Sequence, residues 1–291
     1  MRVCSLLPSA TEIVGAIGLA DALVGRSAEC DWPAEVRDLP VVTAARVDTA
    51  TIGSLDIDRA VREAVADGRS LYALDEELIG ALDPDVILTQ DLCAVCAVSS
   101  DDVGRLCSVD AEVVSLDPRG IAGIQASVLE VAERLGVPEQ GARVVAQMEE
   151  TIGRVREHTA GRRRPSVFVA EWLDPPFAAG HWVPEMVELA GGREVLGVAG
   201  EASFATTWSA VLEQSPELVV LAPCGFDATR AVREVALPPL GCRVVAVDAN
   251  AYFSRPAPRV ADGIAQLAFL LHPDVVPDPG LPQIELVPAA A

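Results

Sequence analysis

The sequence predicts an α/β protein of two lobes built to one plan, and three observations carry that reading. Its 291 residues exceed what a single core ordinarily holds, so two lobes of somewhat over a hundred residues each are expected. Hydrophobic residues make up 51% of the chain and aromatics only 4%, so the cores must be mostly Ala, Val, Leu and Ile, as in packed layers of strands and helices. A strand, turn and helix pattern at the start of the chain also begins again after Pro165.

Val3 to Leu7 is a short apolar run, and Ser9-Ala10-Thr11-Glu12 opens a helix with apolar positions at Ile13, Val14 and Ile17. Ala22 to Gly25 reads as a second strand. Pro84 to Gln90 reads as a later one, reached after a helix around Glu76 to Leu82, and Val113 to Leu116 closes an N-terminal lobe over residues 1–118. Apolar residues then recur at helical spacing from Ile121 to Leu135 and from Val144 to Val155, interrupted once by Gly136-Val137-Pro138. Residues 119–164 are therefore read as a long helical connector, its Arg162-Arg163-Arg164 end suited to a helix C-terminus. Ser166 to Ala170 is a strand, followed by a helix through Met186, Val187 and Leu189. Pro84-Asp85-Val86-Ile87-Leu88 finds a counterpart in Pro216-Glu217-Leu218-Val219-Val220, a weak internal repeat. Val244 to Val247 and Val260 to Leu271 supply the last strand and helix of a C-terminal lobe over 165–275. Residues 276–291 are expected to form a tail on the surface or loose in solvent.

The formal net charge of -21 repels phosphate backbones and anionic lipid, which argues against nucleic-acid partners. No apolar run is long enough to insert into a bilayer. Seven cysteines, an odd number in a chain of this size, fit reduced thiols better than a disulfide framework.

Open parallel sheets bind ligands beyond the carboxyl ends of their strands. All four tryptophans, Trp32, Trp172, Trp182 and Trp208, fall in or beside such segments, where flat rings suit a large apolar or planar ligand. Cys30, Cys93, Cys96 and Cys224 each follow a predicted strand. Cys93 and Cys96 form a C-x-x-C, and the four thiolates together make a candidate zinc or iron–sulfur site; small buried hydrophobes are the alternative reading. His181, with Glu171 upstream, forms a candidate catalytic or ligating pair, against the alternative of a structural, hydrogen-bonded histidine. Asn250 to Arg259 follows the last strand, and Arg255 there has the fork geometry for a carboxylate, amide or phosphate of a ligand.

Ser5-Leu6-Leu7-Pro8-Ser9-Ala10-Thr11-Glu12, Cys30-Asp31-Trp32-Pro33, Pro175-Pro176-Phe177-Ala178-Ala179-Gly180 and Tyr252-Phe253-Ser254-Arg255-Pro256-Ala257-Pro258-Arg259 resemble the cobalamin-binding members of the helical-backbone (class III) periplasmic receptors. The resemblance covers nearly the whole chain. It implies two Rossmann-like lobes joined by one long helix, with a small-molecule ligand in the cleft between them. It also implies that Trp32, Phe177, Trp208, Asn250, Tyr252 and Arg255 face that ligand. Met1-Arg2 leads straight into the first strand with no secretory leader, so the expectation is a cytoplasmic, leaderless subgroup for which a membrane-transporter partner is doubtful. Two functions follow as expectations: a binding protein for cobalamin or a related tetrapyrrole, or a cytosolic metal- or iron–sulfur-dependent enzyme or sensor using the cleft cysteines.

Overall fold

The computed structural model describes residues 1–47, 49, 51–67, 70–91 and 110–286. They form two compact units. The first comprises Met1–Pro118 with Gly123–Val145, and the second Arg119–Ala122 with Ala146–Ala291.

The first unit holds a parallel sheet of β1 (Val3–Ser5), β2 (Leu23–Arg26), β5 (Val86–Thr89) and β6 (Glu112–Ser115) in the order β2-β1-β5-β6. Alternation along the strands gives each face its own core. Val3, Val86, Leu88 and Val114 pack on one face with Ile13 and Val14 of the helix Pro8–Ala16 and Val128 and Val131 of the helix Ile121–Arg134. Cys4 and Ile87 point the other way, onto Leu6, Val42 and Ile79. Burial pushes the Cys4 thiol up to about 12, helped by the neighbouring Cys30, so it stays protonated and behaves as a small core residue. A separate antiparallel pair, β3 (Thr43–Ala45) with β4 (Tyr72–Leu74), and the helix Ser54–Ala66 lie between β2 and β5 in sequence.

The second unit repeats the plan. β7 (Ser166–Leu173), β11 (Leu218–Leu221) and β12 (Arg243–Val247) run parallel side by side, and the short β9 (Arg193–Glu194) pairs parallel with the start of β7. Val167 to Ala170, Leu218 to Leu221 and Val244 to Val247 are all buried, which is why these strands read as continuous apolar runs rather than alternating ones. β8 (Pro176–Ala178) folds back antiparallel on the end of β7 and pairs with β10 (Phe204–Ala205). The segment expected to lie on the surface or loose in solvent includes a strand. β13 (Gln283–Leu286) pairs antiparallel with β12, fastened by two hydrogen bonds from Arg243 to Glu285 (3.0 Å each) and by Gln266 reaching the Pro282 carbonyl (3.1 Å).

The segment read as a connector is two helices, Ile121–Arg134 and Pro138–Thr159, with the break at Gly136, whose φ of +76° suits a helix C-terminus. The second helix belongs to the first unit up to Val145 and to the second from Ala146. Each arginine after it has a protein partner: Arg162 reaches Asp274 (3.1 Å), Arg163 pairs with Glu217, and Arg164 donates to the Gly192 carbonyl (2.9 Å). Among the described residues no helix is long and apolar enough to cross a membrane.

Candidate ligand-binding site

In both sheets the chain leaves the first strand on one side and returns on the other, so the strand order reverses between β1 and β5 and again between β7 and β11. At such a reversal the loops beyond the carboxyl ends of the two strands ordinarily diverge, which is where α/β sheets take ligands.

In the first unit the loop after β2 carries Cys30 and Trp32. The Arg26 guanidinium holds it by donating to the carbonyls of Ser27 (3.1 Å), Cys30 (3.1 Å) and Arg37 (2.8 Å). Gly15 lets the loop sit tight on the helix Pro8–Ala16, since a Cβ there would meet Pro33 Cδ at 2.8 Å. Trp32 is 36% exposed. Cys30 is buried instead, its sulfur 2.9 Å from the Thr11 hydroxyl and 3.2 Å from that of Ser27, and Thr11 lies 2.8 Å from Ser5 Oγ. After β5, the Asp91 N–H donates to Asp117 Oδ1 (2.6 Å), and Ser115 Oγ lies 2.8 Å from Asp117 Oδ2.

In the second unit three loops are knitted together by their backbones. The Cys224 N–H donates to the Glu171 carbonyl and the Asn250 N–H to the Phe226 carbonyl, each at 3.0 Å. Trp172 meets Phe226 edge-on, with ring centroids 5.3 Å apart, and the Arg230 guanidinium lies 3.8 Å from the centre of that Phe226 ring. Asn250 and Arg255, both ligand-facing by the resemblance, are bonded to each other, with Arg255 Nη2 donating to Asn250 Oδ1 (2.9 Å). Arg255 as a whole is 7% exposed, so this bond braces the loop from within. Half-buried Tyr252 lies under Arg259, 5.4 Å from ring centre to guanidinium. Burial raises the Asp248 carboxyl above its ordinary value and nearby Asp227 adds to the rise. The Ala251 N–H and the charges of Arg259 and Arg255 oppose it.

Glu171 Oε2 accepts the N–H of Gly180, the residue before His181 (3.0 Å). His181, at φ +53°, donates its own N–H to the Glu201 carbonyl and accepts from Gly200 N–H. Burial first, and then the charge of Arg119, hold its imidazole below the ordinary histidine range, so it is neutral at neutral pH. The sequence reading set Trp182 among the ligand-facing aromatics. The structure places it in the core, 6% exposed, with its indole N–H donating to the Phe253 carbonyl (2.7 Å). Phe177 is half-buried on β8, and Trp208 opens the helix Trp208–Glu213 with its ring edge-on to buried Phe168 at 6.1 Å.

The four-thiolate site finds no support. Among the described residues no three His, Cys, Asp or Glu side chains are grouped to hold a metal. The Cys30 sulfur is turned into the Thr11 and Ser27 hydroxyls, Cys224 is exposed, and Cys93 and Cys96 lie outside the described residues.

One functional-looking group had no sequence signal. Glu194 accepts N–H bonds from Val169 (3.2 Å), Val195 (3.0 Å), Leu196 (3.2 Å) and Gly197 (3.3 Å), fastening the start of the loop that ends at the His181 contacts. Burial pushes its carboxyl from 4.5 up to about 7, even though all four donors favour the charged form. Because the folded value lies above the unfolded one, the folded state binds more protons between them. The contribution to stability is thus complete below about 4.5 and is lost as pH rises through about 7. The free energy of unfolding, measured by urea denaturation, is expected to fall by on the order of 2 kcal/mol between about pH 5 and 8 in the wild type, and Glu194→Gln should flatten that slope.

A family model described as periplasmic binding protein matches residues 3–251. The chain belongs to the periplasmic binding protein family. It is accordingly a ligand-binding protein, with the α/β class III architecture expected from its sequence. It is 26% identical over 263 residues to the vitamin B12-binding protein of Pectobacterium carotovorum subsp. carotovorum (strain PC1), covering 89% of this chain and 84% of that one. It is 25% identical over 268 residues to the vitamin B12-binding protein of Yersinia pestis (strain Pestoides F), covering 91% and 84%. Among solved structures it is similar to a periplasmic heme binding protein from Pseudomonas aeruginosa, with a TM-score of 0.75, 18% identity and 99% of each chain covered. It is also similar to the periplasmic vitamin B12 binding protein of Vibrio cholerae, with a TM-score of 0.68, 20% identity and 93% and 96% covered. At these identities the structural likeness is one of fold.

Proposed function

We propose that this member of the periplasmic binding protein family binds cobalamin or a related tetrapyrrole through the loops at the carboxyl ends of its two sheets. The observation that carries the reading is aromatic rings at the carboxyl ends of the parallel strands: exposed Trp32 after β2, and half-buried Trp172 at the end of β7, held edge-on by buried Phe226. The names of the relatives, vitamin B12-binding proteins by sequence and heme- and B12-binding proteins by fold, support the same ligand class. A wide, flat ligand matches such walls, because an aromatic face covered over roughly half its area contributes about 2 kcal/mol.

Absorbance titration and equilibrium dialysis with cyanocobalamin and with haem test the proposal. Saturable binding with Kd at or below micromolar is expected, and Trp32→Ala and Trp172→Ala should each weaken it by roughly 10- to 30-fold. No binding of either compound at micromolar concentration would remove the reading.

A further inference from the structure

His181 holds a backbone conformation uncommon outside glycine, with φ at +53°. Both of its peptide groups are tied down, the N–H donating to the Glu201 carbonyl (2.6 Å) and the carbonyl accepting from Gly200 N–H (2.8 Å). The turn is fastened in its turn to the end of β7. Glu171, the residue before half-buried Trp172, takes the Gly180 N–H on its carboxylate and the Cys224 N–H on its carbonyl, each at 3.0 Å. The imidazole is thus carried on a fixed support joined to a strand end.

The ring itself is unused. It is half-buried, yet among the described residues its nitrogens make no hydrogen bond and no ion pair. Its neighbours are the Trp182 ring, with centroids 5.8 Å apart, and the charge of Arg119. The other two histidines differ. His272 is buried with Nε2 3.2 Å from the Gly191 carbonyl, and His158 is exposed near the end of the helix Pro138–Thr159. A neutral imidazole with no hydrogen bond of its own offers a nitrogen lone pair, which suits a metal.

Two observations select the kind of metal. A bare ion needs several protein donors, and among the described residues no three His, Cys, Asp or Glu side chains are grouped to hold one. The nearby Arg119 charge also repels a bare divalent cation. A metallo-tetrapyrrole brings its equatorial nitrogens with it and offsets most of the metal's charge, so a single protein donor completes its coordination.

We propose that His181 is an axial ligand to the metal of a bound metallo-tetrapyrrole, its ring nitrogen giving its lone pair to iron or cobalt in place of a water. The inference rests on the reading that the strand-end loops hold a tetrapyrrole. It adds that the ligated members of that class are those with an exchangeable axial position, such as haem, and not cyanocobalamin, in which both positions are filled.

Ferric haem and metal-free protoporphyrin IX, titrated into the full chain, test the assignment. The wild type should bind haem with the Soret shift and electron paramagnetic resonance signature of nitrogen ligation. His181→Asn, a residue that also tolerates positive φ, should keep Tm, lose that signature and bind haem about tenfold or more weakly. Its Kd for protoporphyrin IX should stay within about twofold of the wild type. His181→Gly should also lose the signature and regain it when imidazole is added. If signature and haem Kd are the same in the wild type and His181→Asn, or if protoporphyrin IX binding weakens as much as haem binding, the ligation is overturned while tetrapyrrole binding stands. If the wild type binds neither probe, the tetrapyrrole reading fails and the ligation with it.

Discussion

Trp182→Ala is expected to destabilise the second unit by about 3–5 kcal/mol, as deletion of a large buried aromatic does. The ring is 6% exposed, so the cavity left behind cannot be filled by solvent at no cost. The substitution also strips the Phe253 carbonyl of its 2.7 Å donor, and Trp182→Phe isolates that part, expected at about 1–3 kcal/mol. Because Phe253 lies between Tyr252 and Arg255, the same bond ties the Gly180–His181 turn to the loop after β12. Trp182→Phe should therefore weaken ligand binding as well as stability, although the ring itself is not at the surface. Urea denaturation followed by titration of the folded variant separates the two effects. Unchanged stability in both variants would show that the indole is not held as described.

Gly180→Ala carries the second large effect. A Cβ at that position would lie 2.3 Å from Ser203 N and 2.6 Å from Ala202 C and Glu201 O, all of them backbone atoms that cannot rotate away. The added methyl must push the Gly180–His181 turn off the Glu201–Ser203 segment, at a cost of about 1–3 kcal/mol or more. The displacement breaks the bonds that hold the turn: Gly180 N–H to Glu171 Oε2, and His181 N–H to the Glu201 carbonyl. Lower Tm together with weaker binding is the expected pair of results. The reverse change in size, Ala179→Gly at the buried neighbouring position, should cost stability through chain entropy with a smaller effect on affinity.

Much of this architecture was legible in the sequence because the central strands are buried on both faces. Val167 to Ala170, Leu218 to Leu221 and Val244 to Val247 have no polar positions to disguise them, and the last helix was read at Val260 to Leu271, the bounds it has in the structure. The repeat centred on Pro84 and Pro216 marks β5 and β11, which occupy matching places in their sheets. Edge elements escaped notice for the opposite reason. β9 and β10 have two residues each, and β13 alternates without a buried face, so neither length nor period distinguishes them from loop.

The site was legible in part. Loop position alone grouped the tryptophans, and it does not separate exposed Trp32 from buried Trp182, which directly precedes a helix whose Val183, Met186 and Val187 are buried. Arg255 looked like a ligand fork because sequence shows its charge and not its burial. Glu194 was invisible for a related reason: beside Arg193 it reads as an ordinary surface charge, and its four partners are backbone N–H groups, which leave no residue signature. The C-x-x-C spacing of Cys93 and Cys96 suggested a metal, yet the Cys30 sulfur expected to join it is bound by hydroxyls through contacts that spacing does not encode.

Hydrogen exchange on the full chain, with and without saturating cyanocobalamin or haem, tests the central claim most directly. Protection should rise in residues 5–10 and 27–33 of the first unit and in residues 171–182, 222–230 and 248–255 of the second, the segments at the carboxyl ends of the parallel strands. Saturable binding with protection confined to other segments would contradict the assignment of the site.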